Sequence, residues 1–214
     1  MMLRTFTILF VFFFFAATEN AQAFNSPSDI MSEVSASTGV PAEAQTFDVK
    51  ATMINFTREQ EDKVLEAIDL IKRVVSSDEF KDGVINNTYR GRRTFADNDG
   101  LSNEEIYQKI LHGAETLSSS GRNNTMDLEL ELYYESANTI GYTFPNIVRI
   151  FMNRKYFNKF KPYQVADNLF HEWLHKLGFK HDVQSTNRRR HSIPYTIGYL
   201  VKKLAKRYTE IQAF

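Results

Sequence analysis

Cysteine is missing from the 214-residue chain, so no disulfide bond stabilises it and no lipid can be attached to a cysteine. An excess of either charge is missing too, because 26 basic residues balance 26 acidic ones. A balanced chain sets up no long-range field that would attract nucleic acid or an anionic membrane, and we expect neither as a partner. At this length we expect one domain, a monomer, with a core large enough to be stable alone.

A hydrophobic run long enough to cross a bilayer is also missing from the N-terminus. The apolar stretch at residues 5–17 follows a basic start that ends at Arg4, and it is shorter than the roughly 20 residues of a transmembrane helix. An A-Q-A triplet then ends at Ala23. This pattern predicts a secretory signal peptide over residues 1–23, cleaved between Ala23 and Phe24, and a secreted or periplasmic protein. A retained membrane anchor is the alternative.

Residues 24–45 are rich in Ser, Ala, Pro and Glu and show no clear periodicity. Such a composition predicts a flexible leader, which is either a plain tether or a short pro-segment. We assign residues 46–214 to the folded domain.

The segment H-E-W-L-H-K-L-G-F-K-H-D, residues 171–182, has the spacing of metal ligands. His171 and His175 are four residues apart and therefore project from one face of a helix. Glu172 follows the first of them, where it would reach a metal-activated water without being a ligand itself. The alternative interpretation is an amphipathic helix with incidental surface histidines.

Gly178 lies just beyond the second histidine, and glycine allows the chain to leave a helix through a left-handed turn. That turn would bring His181 back to the same ion. Three neutral imidazoles leave one position of a tetrahedral zinc ion for water, which is the arrangement of catalytic rather than structural zinc. The sequence therefore predicts one catalytic Zn²⁺ on His171, His175 and His181.

The whole pattern, H-E-x-x-H-x-x-G-x-x-H, resembles the signature of the metzincin zinc endopeptidases. His181 followed by Asp182 is most similar to the reprolysin, or adamalysin-like, branch. The resemblance implies that Asp182 stays off the metal and bonds the backbone near the site. No cysteine is present to block the zinc from a pro-segment, as happens in some metzincins.

The resemblance also implies an α+β fold of the zincin type. Its twisted mixed sheet would have about four to five strands with an antiparallel edge strand, supported by a backing helix, an active-site helix and a C-terminal helix. Hydrophobic periodicity and capping residues predict matching elements: a strand over residues 46–56, a helix over 58–75 with a capping box at Thr57 and Gln60, a helix capped by Ser102 and Glu105, a strand over 126–134, and a helix that Pro162 opens.

Gly141, Tyr142, Thr143 and Phe144 precede a proline, which suits an edge strand. In metzincins the edge strand forms the upper rim of the cleft, and an extended substrate pairs with it. We therefore expect these four residues to bind the substrate backbone. An ordinary sheet edge is the alternative.

Metzincins carry a methionine in a tight turn beneath the zinc, but the last methionine here is Met152, before the motif. We infer that Ile193 or Pro194 supplies the hydrophobic floor instead. Tyr195 lies close to where astacin-like enzymes carry a tyrosine that reaches the metal. It would donate a hydrogen bond to the developing oxyanion; packing of the helix start is the alternative.

The run Asp97-Asn98-Asp99-Gly100 invites a calcium interpretation, but Phe95 occupies the first ligand position of the EF-hand pattern. We predict a turn there and no calcium. The run Arg188-Arg189-Arg190 falls in a polar loop over residues 183–191, which is either solvated or borders the cleft and favours acidic substrates.

These residues together predict a small secreted zinc endopeptidase that acts on peptide or protein substrates. Glu172 would be the general base of the reaction. Two alternatives stay open: a zinc-binding module with little or no catalysis, which the absent methionine favours, and a zinc amidase that acts on a substrate other than protein.

Overall fold

A mixed four-stranded sheet with helices organises the computed structural model, which describes residues 47–117 and 123–212. The elements follow one another in this order: β1 (Asp48–Ile54), α1 (Arg58–Val75), α2 (Asp78–Ile85), β2 (Thr88–Tyr89), β3 (Arg92–Arg93), α3 (Asn103–Leu111), β4 (Thr125–Tyr133), β5 (Gly141–Thr143), β6 (Arg149–Asn153), α4 (Arg154–Phe157), α5 (Pro162–Lys176), α6 (Asn187–Arg190) and α7 (Ile193–Gln212). The predicted signal peptide and leader, residues 1–45, lie outside the described residues.

The sheet has the strand order β1-β4-β6-β5. Strand β4 pairs in parallel with β1 and β6, with Leu130 opposite Ile150. Strand β5 pairs antiparallel with β6, with Tyr142 opposite Phe151. The general class that the sequence predicts, an α+β fold with a mixed sheet and an antiparallel edge strand, is confirmed.

Capping residues fix the starts of the helices as the sequence predicts. At α1 the Thr57 side chain accepts a hydrogen bond from the amide of Gln60, and the Gln60 side chain accepts one from the amide of Thr57. Ser102 and Glu105 form the same reciprocal pair at α3. Each pair satisfies two amides that a helix start leaves without partners inside the helix.

The core lies where α5 packs against both α1 and α7. The indole of Trp173 on α5 is fully buried, with its ring centroid 5.9 Å from that of Phe47 and 5.3 Å from that of Phe170. Its Nε1–H donates a 2.6 Å hydrogen bond to Glu115. The residue between the first two histidines therefore belongs to the core.

Two segments differ from the sequence-based expectations. The predicted polar loop over residues 183–191 contains the short helix α6, because Thr186 caps it through a hydrogen bond from the amide of Arg189. Helix α3, which the apolar spacing predicts to reach about Ala114, ends at Leu111, where the chain turns through Gly113 in the left-handed region, with φ of 56°. In the described part of the chain, no helix has the length and apolar character needed to cross a membrane.

Asn153 organises the connection between β4 and β5. It is fully buried, and its side-chain amide donates 3.0 Å hydrogen bonds to the carbonyls of Glu135 and Thr139. Its own carbonyl oxygen Oδ1 accepts one from the amide of Lys155. One side chain thereby holds both the loop that leads into the edge strand and the start of α4.

We expect Asn153→Ala to lower the free energy of unfolding by about 2–3 kcal/mol, because the two loop carbonyls lose their buried donor. Urea denaturation of the purified protein measures this. The exposed amide variant Asn138→Ala, in the same connection, serves as the control and should change stability by less than about 0.5 kcal/mol. Equal losses in the two variants would show that Asn153 does not hold the loop.

Candidate metal centre

His171, His175 and His181 come together at the C-terminal half of α5 and the turn beyond it. One ring nitrogen from each residue lies within 4.8 Å of those of the other two. The ring centroids are 5.1 Å apart for His171 and His175, 5.3 Å for His171 and His181, and 4.8 Å for His175 and His181. Three histidines that the sequence singles out are therefore close enough to bind one metal ion.

The turn that returns His181 to the cluster is a Schellman motif at the end of α5. The amide of Phe179 donates to the carbonyl of Leu174, and the amide of Gly178 donates to the carbonyl of His175. Gly178 has φ of 93°, in the left-handed region where a residue with a Cβ is strained. Phe179 is buried, so the turn is also fixed by packing.

Main-chain carbonyls fix the orientation of the imidazoles. His175 Nδ1 lies 2.7 Å from the carbonyl oxygen of Phe179, and His181 Nδ1 lies 2.9 Å from that of Asp182. Because a carbonyl only accepts hydrogen bonds, both Nδ1 atoms must carry the proton. The unprotonated Nε2 atoms are therefore the ones that these rings offer to a metal.

Burial keeps the three rings neutral. Desolvation is the largest cause of the lowered pKa values, which are about 3 for His171 and about 4 for His175, and it also lowers the pKa of His181. A hydrogen bond to the carbonyl of Pro194 opposes the change in the pKa of His171. Neutral imidazole is the form that ligates metals, so these rings need not lose a proton to bind one.

Glu172 lies beside the cluster in an environment that disfavours its charge. Its residue surface is 6% exposed, and desolvation raises its pKa to about 7, against the opposing influence of the Lys176 ammonium. The Glu172 charge also contributes to the raised pKa of Tyr133, whose ring centroid is 5.3 Å from that of Tyr142 on β5. Glu172 therefore belongs to the side of α5 near the edge strand.

Tyr195, in the first turn of α7, packs directly against the cluster. Its ring centroid lies 4.6 Å from that of His171 and 4.8 Å from that of His181. Ile193 and Pro194 just before it are buried, with Ile193 fully so. The residues expected to form the hydrophobic floor and to assist at the metal thus lie at one helix start beside the histidines.

Asp182 bonds a side chain rather than the expected backbone group. Its Oδ2 accepts a 2.9 Å hydrogen bond from the hydroxyl of Thr186, the residue that caps α6. The Asp182 carboxylate thereby connects the end of the motif to α6. That helix carries the arginines that follow.

Arg189 also contacts the site, although the sequence predicts only a polar loop around it. Its guanidinium lies 4.8 Å from the centroid of the Tyr195 ring and donates hydrogen bonds to the Tyr195 hydroxyl and to the carbonyl of Val183. Nothing in a run of three arginines indicates which of them turns inward. The helical turn capped by Thr186 decides that.

The four rim residues lie on β5 and the bend after it. Tyr142 stacks on Phe151 with ring centroids 4.9 Å apart, and Phe144 is 52% exposed. The hydroxyl of Thr143 donates a 2.8 Å hydrogen bond to the carbonyl of Arg149. A Cβ on Gly141 would come within 3.0 Å of both Asn168 and the Phe151 carbonyl, so this position is close to α5.

Lys176 connects the bend after β5 to α5, the helix that carries His171 and His175. Nothing in the sequence predicts this contact. Its residue surface is only 5% exposed, and its ammonium donates hydrogen bonds to the carbonyls of Phe144 and Ile147. It also borders a cavity of about 400 Å³ between the sheet and residues 115–117, which none of the three histidines lines. The chemistry of the histidine cluster therefore lies outside that cavity.

The run 97–100 forms the predicted turn. Asp97 and Asp99 have φ of 57° and 51°, and the Asn98 side chain bonds the carbonyl of Leu101 at 2.7 Å. The Asp97 carboxylate pairs with Arg188.

Comparison of the chain with known proteins found no match among family models, curated proteins or solved structures.

We expect His181→Ala to lower the affinity for zinc more than about 100-fold, because even outer-shell partners of a metal site contribute 10–100-fold. Equilibrium dialysis with a competing chelator measures the affinity. His112→Ala is the matched control, since His112 ends α3 and is outside the cluster. Equal affinity of the parent and the His181 variant would remove this residue from the site.

The raised pKa of Glu172 predicts a pH-dependent stability difference in the metal-free protein. Between pH 4.5 and about 7 the folded state keeps a proton that the unfolded state has lost, so the stability contributed by the neutral carboxyl is lost as the pH rises. Glutamine does not ionise. We therefore expect the free energy of unfolding of Glu172→Gln, relative to that of the parent, to rise by about 1–3 kcal/mol between pH 5 and pH 8.

Urea denaturation of both proteins in chelator at several pH values gives this difference, in which the titration of the histidines cancels. Glu66→Gln, a change of an exposed glutamate on α1, should show no such trend. A constant difference between parent and Glu172→Gln across the range would contradict the raised pKa.

Proposed function

We propose that this chain is a secreted zinc-dependent endopeptidase of the metzincin type, which hydrolyses peptide bonds with Glu172 as the general base. The observation that carries the proposal is the cluster of three neutral histidines with a desolvated glutamate, of which His171, His175 and Glu172 share helix α5. Metal ligands without a neighbouring base would serve a structural ion equally well. A base with a pKa near neutral, next to the ligands, is what hydrolysis requires.

The donor set fits zinc. Three imidazole nitrogens suit zinc among the common biological ions, and three protein ligands leave the open position that catalytic zinc keeps. The hydrogen bonds from Nδ1 of His175 and His181 to carbonyls hold the two rings with Nε2 free for the ion, as such bonds do in zinc sites.

The fold supports the metzincin type. In that family an antiparallel edge strand precedes an inner strand and then the active-site helix, and β5, β6 and α5 follow one another in this order here. The departure is the floor beneath the histidines, where the buried Ile193 or Pro194 would take the place of methionine. A floor acts by packing against ligands, so a fully buried isoleucine serves the same purpose.

A zinc ion held by the three histidines would supply Lewis-acid chemistry, by polarising the scissile carbonyl and making a water nucleophilic at neutral pH. The Glu172 carboxylate accepts a proton from the attacking water and passes it to the leaving amine. The Tyr195 hydroxyl accepts a hydrogen bond from Arg189, which leaves its own proton free for the oxyanion that develops on the substrate.

Strand β5 provides the rim for an extended substrate. It is the last strand of the sheet, so its outer edge offers backbone groups to which a peptide can add as a further strand. The Lys176 ammonium holds the bend after β5 to the helix that carries His175, which keeps the rim in register with the metal site.

A zinc-binding module without catalysis is the second candidate, and the burial of Glu172 favours it. The whole Glu172 residue is only 6% exposed, which leaves little room for a water beside its carboxylate. A zinc amidase would share the metal site and the base but would not cleave peptide libraries.

We expect the purified, zinc-loaded protein to cleave a quenched peptide library, and Glu172→Gln to lower kcat about 10²–10⁴-fold while zinc stays bound. Mass spectrometry of the digest measures cleavage, and atomic absorption measures zinc. Gln164→Glu, near the start of the same helix, controls for the exchange of carboxylate and amide. Cleavage by Glu172→Gln at the parent rate would exclude the base, and an inactive parent with bound zinc would favour the module.

A further inference from the structure

Arg189 is held in place beside the metal centre by groups that leave its charge unpaired. Its Nη1 and Nη2 donate to the Val183 carbonyl and the Tyr195 hydroxyl, and both acceptors are neutral. Arg93, Arg149 and Arg188 each contact a carboxylate. Across residues 47–117 and 123–212, no carboxylate lies within ion-pair distance of Arg189.

This guanidinium keeps donors for a ligand. An arginine has five N–H groups in a planar fork, and the two recorded hydrogen bonds leave others available. The residue is half-buried, so part of its surface is open to a ligand. A fixed fork of this kind matches the geometry of a carboxylate, which accepts two parallel hydrogen bonds.

The fork lies close to the reacting centre. The Tyr195 ring separates it from the histidines, with 4.8 Å from guanidinium to ring and 4.6 Å from that ring to His171. Its charge contributes to the lowered pKa of each of the three histidines. The Arg189 guanidinium is thus about 10 Å or less from the His171 ring, a span of roughly three residues of extended chain.

We propose that Arg189 binds a carboxylate of the substrate next to the bond that is cleaved, so that the site prefers acidic peptides. This inference rests on the proposed function. The carboxylate comes from an acidic side chain within three residues of the scissile bond or from the free C-terminus of a short peptide. Both sources present the same group to the same fork.

The first experiment tests the anion site without metal or catalysis. Metal-free protein is titrated with glutarate, and the arginine Nε–H resonances are followed by ¹H–¹⁵N NMR, with assignments from Arg189→Gln and Arg190→Gln. We expect the Arg189 resonance to shift and saturate in the millimolar range, while neutral glutaramide leaves it in place. Arg190 follows Arg189 on α6 and is exposed, so it is the matched control. No shift, or equal shifts at both arginines, overturns the proposal.

The second experiment tests the substrate. Zinc-loaded Glu172→Gln protein, which holds peptides uncleaved, is titrated by fluorescence anisotropy with labelled peptides that carry Glu, Gln or Lys at successive positions, each as the C-terminal acid and the amide. We expect the best Glu peptide or C-terminal acid to bind about tenfold more tightly than its neutral partner. Which pair shows the difference identifies the source of the carboxylate.

Variants assign that preference to Arg189 rather than to the zinc charge. The ratio of the affinities for the acidic peptide and its neutral partner should fall to about one when Arg189→Gln is added. Adding Arg190→Gln should leave this ratio unchanged, and adding Arg189→Glu should make the protein prefer Lys peptides. Arg189→Lys, which keeps the charge but not the planar fork, should retain part of the preference for the acidic peptide. An unchanged ratio in Arg189→Gln overturns the proposal. Glutarate binding at Arg189 with no peptide bound by any variant would contradict the endopeptidase function and the substrate role, leaving only an anion site.

Discussion

The arrangement of the site depends on main-chain carbonyls that hold the imidazole rings. The carbonyl that orients His175 belongs to Phe179, in the turn that follows the helix, and the one that orients His181 belongs to the next residue, Asp182. The His175 ring is thus fixed by the backbone of the turn that positions His181, and the His181 ring by the residue that follows it. A change in the Schellman turn would move the third histidine and release the second at the same time. The turn and the ligand set therefore form one structural unit.

Desolvation is the main cause of the shifted pKa values in and around the histidine cluster. It keeps the histidines neutral, raises the pKa of Glu172 to about 7 and lowers that of Lys176 to about 8. Glu172 and Lys176 are one helical turn apart, and each opposes the effect of burial on the other. An isolated buried charge would be costly, whereas a pair within a hydrogen-bonded rim is tolerated. Lys176 therefore both moderates the pKa of Glu172 and holds the bend after β5.

The segment that follows His181 contributes further residues beside the histidine cluster. Asp182 bonds Thr186, Thr186 caps α6, and α6 directs Arg189 onto Tyr195. Helix α7 then begins with the buried Ile193 and Pro194 beside the histidines. These contacts form a continuous path from the third ligand to the start of the last helix. Arg189 is thereby held against Tyr195, although it belongs to a four-residue helix.

The sequence by itself determined the elements whose causes are local. Alternation and helical spacing of apolar residues predicted β1, α1 and β4, and the capping residues Thr57 and Ser102 marked where helices begin. The ligand trio was equally readable, because two ligands share a helix face and a glycine permits the turn to the third. Both depend on residues only a few positions apart, where backbone geometry leaves few choices.

Only the tertiary structure decided the contacts between segments distant in sequence. The ammonium of Lys176 reaches the carbonyl of Phe144, 32 positions away, and no periodicity connects the two. Arg189 differs from Arg188 only through the orientation of a short helix, which turns one arginine to Tyr195 and the other to Asp97. The pKa of Glu172 likewise depends on which groups cover it. Such effects arise from packing across the whole domain, which spacing along the chain does not encode.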